Sequence, residues 1–317
     1  MSNRPVLRSL LLAMLLAACG RSDAPAAATP GTARAAPAAP SAFDADRWQP
    51  PTEADIPNDS LGASIRRGLA LVVHTTDSLP RYAPGHITCS NCHIAAGQSA
   101  DASPFWGVHG RYPRYIDRAG AVVTMVDRVN YCFTRSLAGR KLPGDSREMA
   151  DILAYIAFLS RGVPVGARAR GGLPAMRDTL VGDTLRGGAT FRTTCATCHG
   201  PDGQGSPTVP ALWGPRSYSV GASMAREERA ASFIWHNMPL GKPKSLTAQQ
   251  AFDVAAFVNS HPRPDLPGKE RDWPGGKSPA DVPYDLRSGH KAYRAPRMLV
   301  ARTDAEAVVA APARARR

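Results

Sequence analysis

Long apolar runs are missing from this sequence. The longest, Leu10 to Ala18, is too short to cross a bilayer comfortably. A mean hydropathy of −0.25 and 43% hydrophobic residues exclude both a polytopic membrane protein and a wholly disordered chain. Acidic residues are short as well, 26 against 39 Lys and Arg, for a formal net charge of +13. That excess sits mostly at the ends. Residues 1–42 hold four Arg and one Asp, residues 291–317 seven basic and two acidic side chains, and 43–290 is left with only +5. A folded part so nearly balanced argues against nucleic acid as its partner. Cysteine is scarce, with six in 317 residues. Glycine and proline are not, at 28 and 29, so loops and connectors take up much of the chain. The length allows one large domain or two of ordinary size.

The N-terminus has the features of an export signal, with Arg4 and Arg8 ahead of the short apolar run. The run ends in Leu16-Ala17-Ala18-Cys19-Gly20, which resembles the lipobox of bacterial lipoproteins. This implies a signal peptide over 1–18 and lipidation of Cys19. Gly rather than Asp at position 20 implies onward transport to the outer membrane. Residues 19–42, rich in Ala and Pro, have too little apolar surface to order and read as a tether. Residues 291–317 read as a flexible basic tail.

Between the ends the chain repeats itself. Cys89-Ser90-Asn91-Cys92-His93 returns as Cys195-Ala196-Thr197-Cys198-His199, offset by 106, and Asp151–Ile156 returns as Asp253–Val258, offset by 102. The second feature has helical periodicity in both copies. Met149, Ile152, Leu153 and Ile156, and again Ala251, Val254, Ala255 and Val258, fall at i, i+3, i+4 and i+7. Thr247 with Gln250 forms a capping box, and Pro262 stops the later helix. A further helix is expected before each cysteine pair, at Leu61–Val73 and Asp183–Thr193. Gly68 stands 21 residues before Cys89 and Gly188 stands 7 before Cys195, so the first copy carries about 14 extra residues there. The expected fold class is all-α, with two tandem cytochrome c-like domains over 43–165 and 181–290 and a linker over 166–180.

C-x-x-C-H suits covalent haem. Two thiols add to the vinyl groups, and the adjacent His reaches the iron from one face. Zinc needs four ligands clustered together, and no second pair lies near either motif. A redox C-x-x-C has no need of the His. Two c-type haems are therefore expected, attached at Cys89 and Cys92 and at Cys195 and Cys198, with His93 and His199 as iron ligands.

The opposite ligands are less determined. In the second domain Met238, within Asn237-Met238-Pro239, is expected as a thioether ligand of the kind that raises potential, with Met224 as the alternative. In the first domain Cys132 competes with Met125, His109 and Met149, and with the ordinary role of a small buried hydrophobe.

The stretches Arg118, Arg128, Cys132-Phe133-x-Arg135-Ser136, Leu142-Pro143, Glu148-Met149, the run C-A-T-C-H-G-P-D-G-Q-G over 195–205, Leu212-Trp213-Gly214 and Asn237-Met238-Pro239 together resemble the thiosulfate dehydrogenase family of dihaem cytochromes c. The resemblance runs from about 55 to 285 and includes Asp272-Trp273-Pro274 and Pro283-Tyr284. It implies a catalytic haem held by His93 and Cys132, with Arg118, Arg128 and Ser136 lining its pocket. It implies a second haem held by His199 and Met238, since Asn237 stands where some members carry a ligand Lys. It further implies oxidation of thiosulfate to tetrathionate, a soluble cytochrome c or similar protein as electron acceptor, and a periplasmic location.

The chemistry suits the composition. Residues 111–141 carry Arg111, Arg114, Arg118, Arg128, Arg135, Arg140 and Lys141 against Asp117 and Asp127, and arginine presents a planar fork to an oxyanion. Most of these seven are expected to be surface charge or partners of haem propionates. A Cys132 thiolate off the iron is also a nucleophile able to hold a thiosulfate-derived sulfur until a second anion attacks. Two other readings stay open from sequence: the same site run backwards as a tetrathionate reductase, and a dihaem electron carrier with no substrate.

Overall fold

The computed structural model describes residues 43–176 and 180–295. The signal peptide and lipobox, most of the Ala/Pro tether and most of the basic tail lie outside the described residues. Residues from Phe43 onward form one compact unit, within which both C-x-x-C-H halves are packed together.

Two helices frame each half. In the first, α1 (Ser60–Val73) begins at Asp59, whose carboxylate accepts the Gly62 N–H. After a short hairpin of β1 (Arg114–Ile116) and β2 (Ala121–Val123) come α2 (Met125–Tyr131) and α3 (Arg147–Leu159). The hairpin, Arg114 paired to Val123, is the one departure from all-α among the described residues. In the second half, α4 (Thr184–Thr190) is capped by Asp183. Then follow α5 (Glu227–Asn237) and α6 (Ala248–Asn259), which begins with the capping box expected from Thr247 and Gln250. The helix expected over Asp183–Thr193 changes pitch early, because Phe191–Cys195 forms a π-helical turn leading into the cysteine pair.

The first and last helices of each half cross at one contact, used twice. A Cβ on Gly68 would lie 2.0 Å from the Asp151 carbonyl oxygen, and one on Gly187 would lie 1.8 Å from that of Asp253. Only glycine permits the approach. Beside each glycine an arginine grips the aspartate opposite. Arg67 Nε and Nη2 reach Asp151 at 2.7 and 2.9 Å, and Arg186 Nε and Nη2 reach Asp253 at 2.8 Å each. Gly187, not Gly188, is therefore the counterpart of Gly68. The extra segment before the first cysteine pair is accordingly 13 residues rather than 14. Two adjacent glycines hid which one meets the partner helix.

Apolar packing follows the same frame. Phe133, Leu137, Leu142, Met149, Ile152 and Ile156 are buried together in the first half. Phe191, Val254 and Val258 are buried in the second, with Cys195 and Trp213 packed on them. Burial of such side chains contributes roughly 1.5–3 kcal/mol each.

The connector is more ordered than its Gly/Arg/Ala composition suggests. Gly172 N–H donates to Ala100 O at 2.8 Å, Trp106 Nε1 donates to Arg170 O at 2.7 Å, and Ser232 Oγ donates to Pro174 O at 2.5 Å. Its described residues thus bond to Ala100 and Trp106 of the first half and to Ser232 of the second, which makes this stretch a packed seam. Beyond α6 the chain turns back across the first half. Trp273, Val282, Tyr284 and Leu286 form their own cluster there, and packing continues to Tyr293, whose hydroxyl donates to Glu227 Oε2 at 3.0 Å. Packing thus extends past the expected boundary at residue 290.

Candidate functional site

The haem motifs are placed alike in both halves. Thr88 caps the turn Cys89–Cys92, and the His93 ring nitrogen Nδ1 lies 2.6 Å from Ser103 O. In the second half His199 Nδ1 lies 3.1 Å from Pro210 O. A backbone carbonyl at Nδ1 fixes the tautomer with hydrogen there and leaves Nε2 as the free donor to a metal. Phe105 packs on the His93 ring at a centroid distance of 4.4 Å. No disulfide joins any of the five cysteines among the described residues. Burial pushes Cys89 and Cys92 up to about 12 and Cys195 up to about 11. Two thiols in a pair beside an oriented imidazole are the donor set that two thioether bonds and one iron ligand require, and a c-type haem fits both motifs.

In the first half that donor set opens into a cavity of about 700 Å³. Val72, Ile87, Phe133, Ile152 and Ile156 supply apolar wall, while Cys89, Cys92, His93 and Cys132 supply the sulfur and nitrogen. The residues implied by the family resemblance, Arg118, Arg128, Cys132 and Ser136, all line this one cavity, although they are spread over three elements of the chain. Cys132 opens a second π-helical turn, Cys132–Ser136, in which the Leu137 N–H donates to Cys132 O at 2.9 Å. Such a turn displaces side chains from the α-helical register, which directs the end of α2 into the cavity.

Electrostatics set Cys132 apart from the other thiols. Burial raises its pKa. The Arg128 charge, the nearby His93 ring and the hydrogen bond from Arg128 outweigh this and bring it down to about 6. Arg128 Nη1 donates to Cys132 Sγ at 3.1 Å. The thiolate in turn holds Arg128 above the ordinary arginine value. No carboxylate pairs with Arg128 among the described residues, so its nearest anion is that sulfur.

The rival ligands separate. Met149 is fully buried in the core and His109 is not part of the cavity wall, whereas Met125 shares the wall with Cys132. In the second half Met238 is half-buried at the C-cap of α5 and belongs to no apolar cluster among the described residues. Met224 instead packs against Tyr218, Ala222 and Ala225. Asn237 is buried, its Nδ2 donating to Asp101 O at 3.0 Å across the two halves.

Of the seven basic residues singled out over 111–141, Arg111, Arg114, Arg118 and Arg128 line the cavity and Arg140 and Lys141 are exposed. Arg135 turns away to Asp272, with Nη1–Oδ2 at 2.8 Å and Nη2–Oδ1 at 2.6 Å. Beside Arg170 of the connector, the wall carries Arg226 and Arg229 from the start of α5 in the second half. Sequence reasoning missed them, because Glu227 and Glu228 between them make the stretch look like an ordinary charged helix surface.

The family model described as SoxA/TsdA, cytochrome c domain, matches residues 81–165, and the cytochrome c model matches 185–262. The thiosulfate dehydrogenase of Allochromatium vinosum is 43% identical over 225 residues, covering 68% of this chain and 83% of that one. That of Psychrobacter arcticus is 38% identical over 239 residues, 73% of each. Among solved structures, the as-isolated thiosulfate dehydrogenase (TsdBA) from Marichromatium purpuratum aligns with a TM-score of 0.67 at 33% identity, covering 79% of this chain and 58% of that longer one. Two matched cytochrome c domains, each with its C-x-x-C-H, carry two covalently attached c-type haems. With relatives this similar over most of its length, the chain belongs to the thiosulfate dehydrogenase family of dihaem cytochromes c.

Proposed function

We propose that this chain oxidises two thiosulfate anions to tetrathionate beside its first haem and hands the electrons on through its second. The observation that carries the reading is the shared cavity, in which a low-pKa cysteine, a proximal histidine and arginines without enough acid to neutralise them face the same space.

The stoichiometry explains this composition. Joining two thiosulfates releases two electrons and no proton, so the pocket needs cations more than it needs a general base. Two unit charges ~4 Å apart repel by about 4 kcal/mol at an effective dielectric of ~20, and each thiosulfate carries two. Arg128 and Arg118 offset that repulsion by donating to the sulfonate oxygens, and the Ser136 hydroxyl adds a neutral donor. The two haems, when bound, accept one electron each and raise or lower the driving force through their axial ligands. His93 and Cys132 would hold the first, and His199 and Met238 the second. Held by a thiolate, the first haem would sit at lower potential than a second held by a thioether, because the anionic sulfur of Cys132 favours the oxidised form more than Met238 does. The acceptor is a soluble c-type cytochrome or a protein of similar potential.

The decisive experiment follows ferricyanide reduction by purified holoprotein with thiosulfate, and identifies the product. Tetrathionate formed at half the rate of ferricyanide consumption supports the reading. No reduction from acid to neutral pH leaves a dihaem electron carrier in its place. The location is periplasmic, and the lipobox supports an anchor at Cys19. Cys19→Ser should release the protein from the membrane fraction, and a wild type already free of membrane after native export would refute the anchor.

A further inference from the structure

Arg118 has little in its own half to hold it. It lies in the turn between β1 and β2, a two-stranded ribbon whose Tyr115 and Val122 are exposed. Yet its side chain is only 16% exposed, and what covers it comes from the chain returning out of the second half. The Trp273 ring lies under the guanidinium at 4.5 Å, and the Trp273 N–H donates to Arg118 O at 3.0 Å. Arg118 Nη2 donates to the Tyr284 hydroxyl at 3.2 Å, and the Asp272 carboxylate stands 3.4 Å from Nε. That Nε is buried without a hydrogen bond, so Asp272 holds the guanidinium as a close charge and through Tyr284, while stacking on Trp273 sets its plane.

Asp272 also ties this group to the iron-side turn. It accepts both forks of Arg135, three residues past Cys132, and the Tyr284 hydroxyl donates to it at 2.7 Å. It is 5% exposed. One buried carboxylate therefore stands between two arginines, one on the cavity wall and one on the turn that carries Cys132 and Ser136.

We propose that the anion pocket of the first half is a composite of both halves, in which Asp272, with Trp273 and Tyr284, is the positioning element that aims Arg118 into the cavity. Asp272 touches no substrate; it acts through Arg118. The second half thus sets the affinity of the first for its anion as well as receiving electrons. This rests on the assignment of Arg118 as an anion-binding group under the proposed function. Without the Asp272 charge, Arg118 and Arg135 face each other as unneutralised cations, and the hairpin turn loses the partner that holds its arginine inward.

The test uses holoprotein carrying Asp272→Asn, Asp272→Glu, Tyr284→Phe, Arg118→Gln, and Asp272→Asn combined with Arg118→Gln. Two readouts are taken. One is the split between KM for thiosulfate and kcat; the other is the anion-induced shift of the first haem's absorption on titration with sulfate, which needs no turnover. Asp272→Asn should raise KM and the sulfate dissociation constant about tenfold, with kcat within about threefold and unchanged ligand-field spectra of both haems. Asp272→Glu should recover part of the loss, and Tyr284→Phe should give a smaller shift in the same direction. In the Arg118→Gln background, Asp272→Asn should add less than about twofold, because the group it positions is gone. Full additivity there, or unchanged KM and sulfate affinity in Asp272→Asn, overturns the proposal. A wild type that turns over no thiosulfate but loses sulfate affinity through Asp272 refutes the substrate while leaving the positioning role standing. A wild type that turns over no thiosulfate, with sulfate affinity unmoved by Asp272→Asn, refutes both.

Discussion

Removing the Arg128 charge is the most direct perturbation of the pocket. Arg128 Nη1 sits 3.1 Å from Cys132 Sγ, with no carboxylate to share it among the described residues. Unit charges at that separation attract by roughly 5 kcal/mol at an effective dielectric of ~20, much of it offset by the cost of desolvating both groups. What remains on the path to the transition state is the worth of one preorganised donor, roughly 2.7–4 kcal/mol, or a ~10²–10³-fold change in rate. Arg128→Gln should therefore lower kcat/KM for thiosulfate by about that factor in the ferricyanide assay. Arg128→Lys keeps the charge but loses the fork, and should fall between the two. Both variants should retain two haems per chain, since Cys89, Cys92, Cys195 and Cys198 are untouched. A kcat/KM within threefold of wild type in Arg128→Gln, with haem content unchanged, would show that this arginine serves only to pack the thiol.

Three other outcomes follow from the site and the frame. Cys132→Gly should keep both haems attached, leave the first iron high-spin or captured by another side chain such as Met125, and abolish thiosulfate oxidation. Cys132→Met restores six-coordination without a reactive thiol, so activity there would show that sulfur tunes potential rather than bonding substrate. Full activity and unchanged spectra in both would make Cys132 an ordinary buried cysteine. Met238→Ala should lower the second haem's potential and slow transfer to the acceptor while substrate still reduces the first haem, and an unchanged potential in a redox titration would move the ligand to another residue. For Asp151, burial raises the carboxyl pKa but hydrogen bonds from Arg67 and Ser64, with the Arg67 charge, hold it below its ordinary 3.8. Its folded value is depressed, so its contribution is present above 3.8 and is lost as pH falls through the folded value. Asp151→Asn should be less stable than wild type in thermal melts near neutrality and converge with it in acid, and a constant gap from pH 7 to 3 would contradict this.

Much of this was legible in the chain. The repeated C-x-x-C-H and the matching Met149–Ile156 and Ala251–Val258 periodicities gave two helical cytochrome halves, because local spacing carries both signals. What escaped was non-local. The pairing of Gly68 with Gly187 depends on which glycine meets a carbonyl 83 residues away in the first half and 66 in the second, which no window reveals. Arg226 and Arg229 reach the first cavity only because the two halves pack together, and their sequence neighbours are glutamates. Arg135 fell among the arginines expected to be surface charge or propionate partners and is instead a strut to Asp272. Composition misjudged the connector over 166–180, since small residues free to bend are also free to fit a tight seam.

The duplicated helix crossing has a consequence for how the protein is made. Each half is shut by its own last helix, Asp151 over Gly68 and Asp253 over Gly187, and each cysteine pair lies in the chain between. A polypeptide delivered from its N-terminus therefore presents Cys89 and Cys92 for some time before the helix that closes over them exists. His93 to Asp151 is 58 residues, roughly 3–12 s of chain at ~5–20 residues per second. Haem attachment has that interval in which to reach open thiols, and the second pair gets its own interval later. The segment bearing Asp272 arrives after both, so the first half can be loaded and folded well before the group that orients Arg118 is in place. Maturation thus runs in the order of haem, helix and lock, and a chain stalled after its first haem would already be coloured yet still unable to grip an anion.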